Sequence, residues 1–220
     1  MAEPLEIVFD LETVFLSREL PDGWNDLHLM RVSCLGARIG PPYDEQGPFS
    51  DVKPHRPGGY FVFGPGDLQP THEPTGAFCQ MLHFESSQLP IRLIGWNIVD
   101  FDIPVYEGDF DGGPLRPAAP CFPFEVYDLM LACQRHLGHR VHLDEAAQKI
   151  LGEGKSGDGA LAPILYRTRR HQRLVDYCLK DVELTARIWD ATKANGMAIP
   201  HYNAPAAPEV VAQHAPKQLP

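Results

Sequence analysis

Positive charge is scarce in this chain. Its 220 residues carry 19 lysines and arginines against 29 aspartates and glutamates, a formal charge of −10. That excludes a protein that coats duplex nucleic acid through its overall field. Cysteine is sparse too: Cys34, Cys79, Cys121, Cys133 and Cys178 are scattered without paired spacing, so reduced, buried thiols are expected in place of a disulfide framework. No apolar run approaches the roughly 18 residues of a membrane span, and the N-terminus runs almost directly into a strand pattern with no leader. No membrane partner and a cytoplasmic location are therefore expected. What the chain does have is 44% hydrophobic content, enough at this length to bury one full α/β core beside at most a small second domain.

The segment LEIVFDLET alternates as a strand does. Ile7, Phe9 and Leu11 share one face, and Val8, Asp10 and Glu12 share the other, about 7 Å from one to the next. Two acids thus point the same way. Unpaired, they would repel and each would lose hydration, which is costly unless a cation takes up the charge. A hard divalent ion such as Mg²⁺ suits such oxygens; the alternative is a solvated strand end.

A long helical period occupies 173–190. Asp176, Lys180, Glu183, Arg187 and Asp190 form its wet arc, with acid-first i,i+4 spacing. Val175, Leu179, Val182, Ala186 and Trp189 form an apolar stripe, widened by Leu174, Cys178, Leu184 and Ile188. Tyr177 and Asp181, one turn apart, fall within that buried side. An aspartate there costs several kcal/mol unless it is paired or coordinated, and a bond to a nearby arginine or a cap is the other reading. A third segment, RLIGWNIVDFDIPV, begins as an apolar strand, breaks at Gly95, and offers Asn97, Asp100 and Asp102 before Pro104. Asp102 is flanked by apolar Phe101 and Ile103; Asp100 is an alternative ligand, and either could be a helix N-cap.

Asp10 and Glu12 in FDLET, Asp102 in GWNIVDFD and the Tyr177/Asp181 pair in YCLKD resemble, in order and spacing, the three motifs of the DEDD exonucleases in their tyrosine-containing branch. The likeness is to the proofreading exonuclease domain of family-B DNA polymerases and runs from about Leu5 to Trp189. HLDEAAQKILGEGK is similar to the helix and loop that lie between the second and third motifs there. The resemblance implies a ribonuclease-H-like α/β fold, a mixed sheet with helices on both faces, and 3′-to-5′ hydrolysis of single-stranded DNA with two Mg²⁺ or Mn²⁺ ions. Asp10, Glu12, Asp102 and Asp181 would hold the ions and Tyr177 would orient the attacking water. Thr13, Trp96, Asn97 and Phe101 would contact the terminal nucleotide, with Asn97 holding its own loop together as the other reading, and Lys155 would touch the backbone or stand as a solvated loop lysine. An RNA exonuclease is the alternative within the same chemistry, because such motifs read metal and phosphate rather than sugar. A non-cleaving binding or scaffold subunit is the alternative outside it. One departure stands out: Gly108, Gly112, Gly113, Pro114 and Pro117 follow Asp102 closely, so the helix the family carries there should be truncated or absent. No polymerase palm or thumb follows, and a free-standing nuclease or a subunit of something larger is expected.

Further strands are expected around 29–39, in GYFVFGPG and in FEVYDLM, and helices in TGAFCQMLHFES, HLDEAAQKILG and 169–195, with a Pro/Gly-rich stretch over 40–59. The exonuclease domain should span 1–197. The Ala/Pro-rich remainder, 198–220, reads as a flexible tail or a strap for a protein partner. GEGKS at 152–156 lacks the first glycine and the preceding strand of a phosphate-binding P-loop. His136, His139 and His142 read as loop histidines, Asp128 as a helix cap or a support of the acidic site, and the basic cluster over 167–173 as a solvated helix start or a nucleic-acid contact.

Overall fold

The computed structural model describes residues 3–40, 59–64, 74–86, 90–111, 125–155, 157, 159–202, 204–205 and 212–213. The stretch 41–58, residues 112–117 and Cys121, all singled out above, lie outside them. The FDLET segment forms β1 (Leu5–Thr13) near the middle of a six-stranded sheet, with β2 (Val32–Ile39), β3 (Tyr60–Phe63), β4 (Ile91–Gly95), β5 (Glu125–Asp128) and β8 (Ala212–Gln213). The order is β3-β2-β1-β4-β5-β8. β1 is antiparallel to β2 and β2 to β3, whereas β1, β4 and β5 run parallel. This is the mixed sheet expected of the pattern.

Strand alternation decides which helices cover which face. Leu5, Ile7, Phe9 and Leu11 enter one buried cluster with Phe78 and Leu82 of α1 (Pro74–Ser86) and Ile103, Val105 and Tyr106 of α2 (Ile103–Asp111). Val8, on the opposite side of the strand, packs with residues of α3 (Leu129–Leu137), α4 (Leu143–Leu151) and α6 (His171–Ala194). The short α5 (Leu161–Arg167) lies against α6 through Ala162 and Leu165. The stripe read on α6 is buried as its period demands, down to Trp189, whose ring packs tilted against Tyr127 of β5 at 4.7 Å between ring centroids.

One close approach sets how near α6 comes to the sheet. A side chain at Gly36 would place its Cβ 3.0 Å from Val182 Cγ2 and 3.1 Å from Cys178 Sγ. Gly36 is the strand partner of Asp10, so the helix is closest to the sheet beside the first acid. After Asp102 a helix does form, and it is short, with Pro104 in its first turn, where a missing N–H costs nothing. β6 (Ala198–Ile199) and β7 (Ala204–Pro205) pair with each other, Ile199 and Tyr202 are buried, and β8 lines β5. Ile199 and Tyr202, just past the expected boundary at 197, are buried with residues of α3, α4 and α6. Among the described residues no helix is long and apolar enough to cross a membrane.

Candidate metal centre

β1, β4 and β5 run parallel, so their carboxyl ends lie at the same end of the sheet. Asp10 and Glu12 stand at that end of β1. Asp102 closes the single π-helical turn Ile98–Asp102 that follows β4, and its Oδ1 accepts the Leu11 N–H at 3.0 Å, between the two β1 acids. Asp181 approaches from α6. Glu12, Asp102 and Asp181 are 8%, 2% and 2% exposed, and Asp10 keeps partial contact with solvent.

The electrostatics report the convergence directly. Burial, followed by Asp102 and Asp181, pushes the Asp10 carboxyl well above its ordinary range, and burial, Asp10 and Asp181 do the same to Glu12. Asp102 is pushed up to about 8, chiefly by burial and against the Leu11 hydrogen bond. Asp181 is raised by burial and held back by Lys155. Four acids from three elements thus share one poorly hydrated space, and each makes its neighbours harder to ionise.

Lys155 is the cation among them. Its Nζ lies 2.5 Å from Asp181 Oδ2 and 5.7 Å from the Tyr177 ring centroid. The loop that carries it is gripped from two sides. Asp144 of α4 accepts the Lys155 backbone N–H at 2.7 Å, and Glu153 pairs with Lys180, at 2.9 Å, and with Arg187 on α6. The lysine expected to touch nucleic-acid backbone is therefore folded inward onto an acid, although 22% of its side chain stays exposed. Tyr177 is buried with Ala162, Leu165 and Cys178, one helical turn before Asp181.

Asp128 holds the second motif in place. Its Oδ1 accepts from Met130 and Leu131, capping α3, and also from the Asn97 N–H, while Oδ2 accepts from Val99. Both readings of Asp128 thus meet in one side chain: it caps a helix and steadies the turn leading to Asp102. Asn97, at φ 69°, accepts from Arg140 at 2.9 Å through its side-chain oxygen, and Arg140 also pairs with Asp100 at 2.5 Å. Asp100 is exposed and points to that arginine, away from the acids. Two expected nucleotide contacts are engaged within the protein. Trp96 is a core residue whose Nε1 donates to the Val141 carbonyl at 3.1 Å, because the chain reverses after Gly95 and turns the indole under α4. Thr13 is buried, and its hydroxyl is used within its own turn, on the Phe15 carbonyl at 2.7 Å. Phe101 is half-buried at the rim.

A hard divalent cation fits this donor set. Four carboxylates face one ammonium, and Asp181 Oδ1 is buried without a hydrogen-bond partner, an arrangement that costs free energy until something positive meets it. Ligand atoms of Asp10, Glu12 and Cys178 lie within 4.8 Å of one another. Sulfur is the odd member. The Cys178 thiol is pushed well up by its hydrogen bond with Cys34 and by burial, and it points at the Asp10 backbone carbonyl, 3.6 Å away. A hard divalent ion prefers oxygen to sulfur, so the carboxylates are the better-matched ligands. Sequence reasoning missed the Cys34–Cys178 contact and the grip of Asp144 on the Lys155 loop. For the second, the signal was the glycine before the lysine: a Cβ at Gly154 would fall 2.3 Å from Asp144 Oδ1.

No family model matches the sequence, and no curated protein matches it. Among solved structures the chain is similar to the family B DNA polymerase from the hyperthermophilic archaeon Pyrobaculum calidifontis, with a TM-score of 0.62 and 16% identity over 94% of this chain and 27% of that one. The chain thus spans about a quarter of the polymerase's length. At that identity the likeness is one of fold, an α/β architecture with a mixed sheet consistent with a ribonuclease-H-like fold, and the chain carries an acidic group that could hold a metal ion.

Proposed function

We propose that this chain is a metal-dependent 3′-to-5′ exonuclease acting on single-stranded DNA. The observation that carries the reading is the convergence of Asp10, Glu12, Asp102 and Asp181, which come from β1, the turn after β4 and α6, around an ammonium group too small in charge to balance them. The sequence resemblance to proofreading exonucleases involves the same four residues. The polymerase-related fold agrees with it.

The carboxylates would hold two Mg²⁺ or Mn²⁺ ions, which when bound supply activation of a water molecule and stabilisation of the departing 3′-oxygen in an in-line displacement. The chain's own residues do the positioning. Asp102, tied to the Leu11 N–H, cannot swing away from the β1 acids. Asp10 is the one of the four acids that is partly open to solvent, where a strand end would reach it. Tyr177, on the turn of α6 before Asp181, would orient the attacking water without acting as a strong base. Lys155, whose Nζ lies 2.5 Å from Asp181 Oδ2 at the edge of the acids, would stabilise charge on the scissile phosphate.

The Lys155–Asp181 contact also favours a second reading, in which the ammonium stands permanently where an ion would and the chain binds nucleic acid without cutting it. One assay separates the two. The intact chain and Asp181→Ala are incubated with 5′-labelled single-stranded DNA, duplex DNA and RNA in Mg²⁺ or Mn²⁺. DNA ladders shortening from the 3′ end, lost in the variant, support the exonuclease. Shortening of RNA alone moves the substrate to RNA, and the absence of any ladder selects the binding module.

A further inference from the structure

Between β1 and β2 the chain makes an excursion over residues 14–31, built on two 3-10 segments, Ser17–Glu19 and Gly23–Leu29. It is anchored from below by Leu27 and Met30, both buried, yet it leaves Trp24 61% exposed, with Phe15 and Leu29 also open to solvent. Trp24 is the one exposed indole of the chain's three, since Trp96 and Trp189 are buried. A large apolar ring left in water at the rim of a cleft is a surface in search of an occupant.

Two features connect it with the acidic cluster. The Trp24 ring meets Phe101 edge to face at 5.6 Å between centroids, and Phe101 immediately precedes Asp102. The excursion is also locked in position. A Cβ on Gly108 of α2 would fall 2.3 Å from the backbone of His28, so the two backbones touch there. Arg31 pairs with Asp109 at 3.2 Å, and Thr75 donates to the other oxygen of the same carboxylate at 3.0 Å. At the far end Glu19 pairs with Arg167 of α5 at 2.7 Å while also accepting the Leu16 N–H. The acids beside Trp24 are turned into their own loop: Asp26 accepts the Asp22 N–H at 2.8 Å, and Asn25 donates to Asp22 at 3.1 Å. Arg18 and Arg31 are exposed on the same excursion.

We propose that Trp24, braced by Phe101, is a stacking platform for the bases of a single-stranded 3′ segment entering the acidic centre, an inference that rests on the exonuclease reading above. Every base offers a π face, so such a platform holds strands without regard to sequence, with Arg18 exposed on the same excursion. Paired bases are already stacked on each other and cannot use it. The platform therefore selects frayed or single-stranded ends over blunt duplex.

The test uses the full chain, wild type, Trp24→Ala and Trp24→Phe, on three substrates: a single-stranded oligonucleotide, a blunt duplex, and thymidine 5′-(4-nitrophenyl phosphate), which has no upstream bases. Trp24→Ala should raise KM on the single strand about tenfold, leave turnover of the nitrophenyl ester within about twofold, and change the duplex little; Trp24→Phe should restore most of the loss. Equal KM for wild type and Trp24→Ala on the single strand overturns the platform. So does an equal loss on all three substrates, which would mark a structural role. Quenching of tryptophan fluorescence by the same oligonucleotide provides a readout independent of cleavage, because Trp24 is the exposed indole. If the wild-type chain cuts none of the substrates, the nuclease reading fails, and saturable quenching that disappears in Trp24→Phe still supports the platform, whereas no quenching overturns it.

Discussion

The two ends of β1 carry acids in opposite circumstances. At the amino end Glu6 accepts the Trp189 indole N–H at 2.9 Å and pairs with Lys193 at 2.6 Å and Arg92 at 3.6 Å. Around it Arg92 holds Glu125 and Arg38 holds Asp190, each at 2.7 Å. At the carboxyl end, a few residues on, Asp10 and Glu12 face Asp102 and Asp181, with Lys155 as the cation among them. One strand thus begins in a balanced ionic fringe and ends in a crowded, under-neutralised acidic cluster. The fringe lies where chain segments close over the sheet and partial exposure keeps ion pairs inexpensive. In the cleft, burial raises the cost of every like charge, a cost that a purely structural site has no reason to carry.

Substitutions at the two ends should therefore have different consequences. The largest effect is expected for Asp10→Asn, which should lower metal-dependent 3′ shortening on the order of a thousandfold, several kcal/mol of transition-state stabilisation. The same change removes a like charge from the buried cluster, so the metal-free variant should melt no lower than wild type. It should also lose the rise in melting temperature that Mn²⁺ gives the parent, worth about 2.7 kcal/mol at a hundred times Kd. Calorimetry with and without Mn²⁺ reads both, and a variant clearly less stable without metal would mean that the acids are structural after all. Next comes Trp189→Ala, which empties a fully buried site between β5 and the Glu6 fringe. Urea unfolding should show a loss of about 3 to 5 kcal/mol, with the Mn²⁺ response of the folded fraction retained. The smallest is Glu6→Gln, which keeps the shape and removes only the charge. It should cost under about 1 kcal/mol and leave nuclease activity unchanged; an activity loss comparable to that of Asp10→Asn would erase the distinction between the two ends.

Legibility in the sequence followed the range of the forces involved. The alternation of β1 and the stripe of α6 are local, so the faces of Asp10, Glu12 and Asp181 could be read from spacing; the glycines and prolines after Asp102 implied a helix truncated or absent, and a short one forms that runs through Gly108. Trp96 misled because an aromatic beside Asn97 reads the same whether it turns toward a cleft or under a helix; the Val141 carbonyl, 45 residues away, determined its direction. α5 was missed because seven residues with an internal proline carry too little periodicity, and the helix is held mainly by packing on α6.

By itself, then, the sequence determined which side of each element every acid would occupy, since backbone periodicity is set by neighbours in the chain and by nothing else. Only the tertiary structure decided that Lys155 turns in to Asp181, that Cys178 meets Cys34, and that Trp24 comes to rest against Phe101. Those pairings depend on how loops close over distances of 20 residues or more, where the free energies come from burial and partner availability, and no local pattern encodes them.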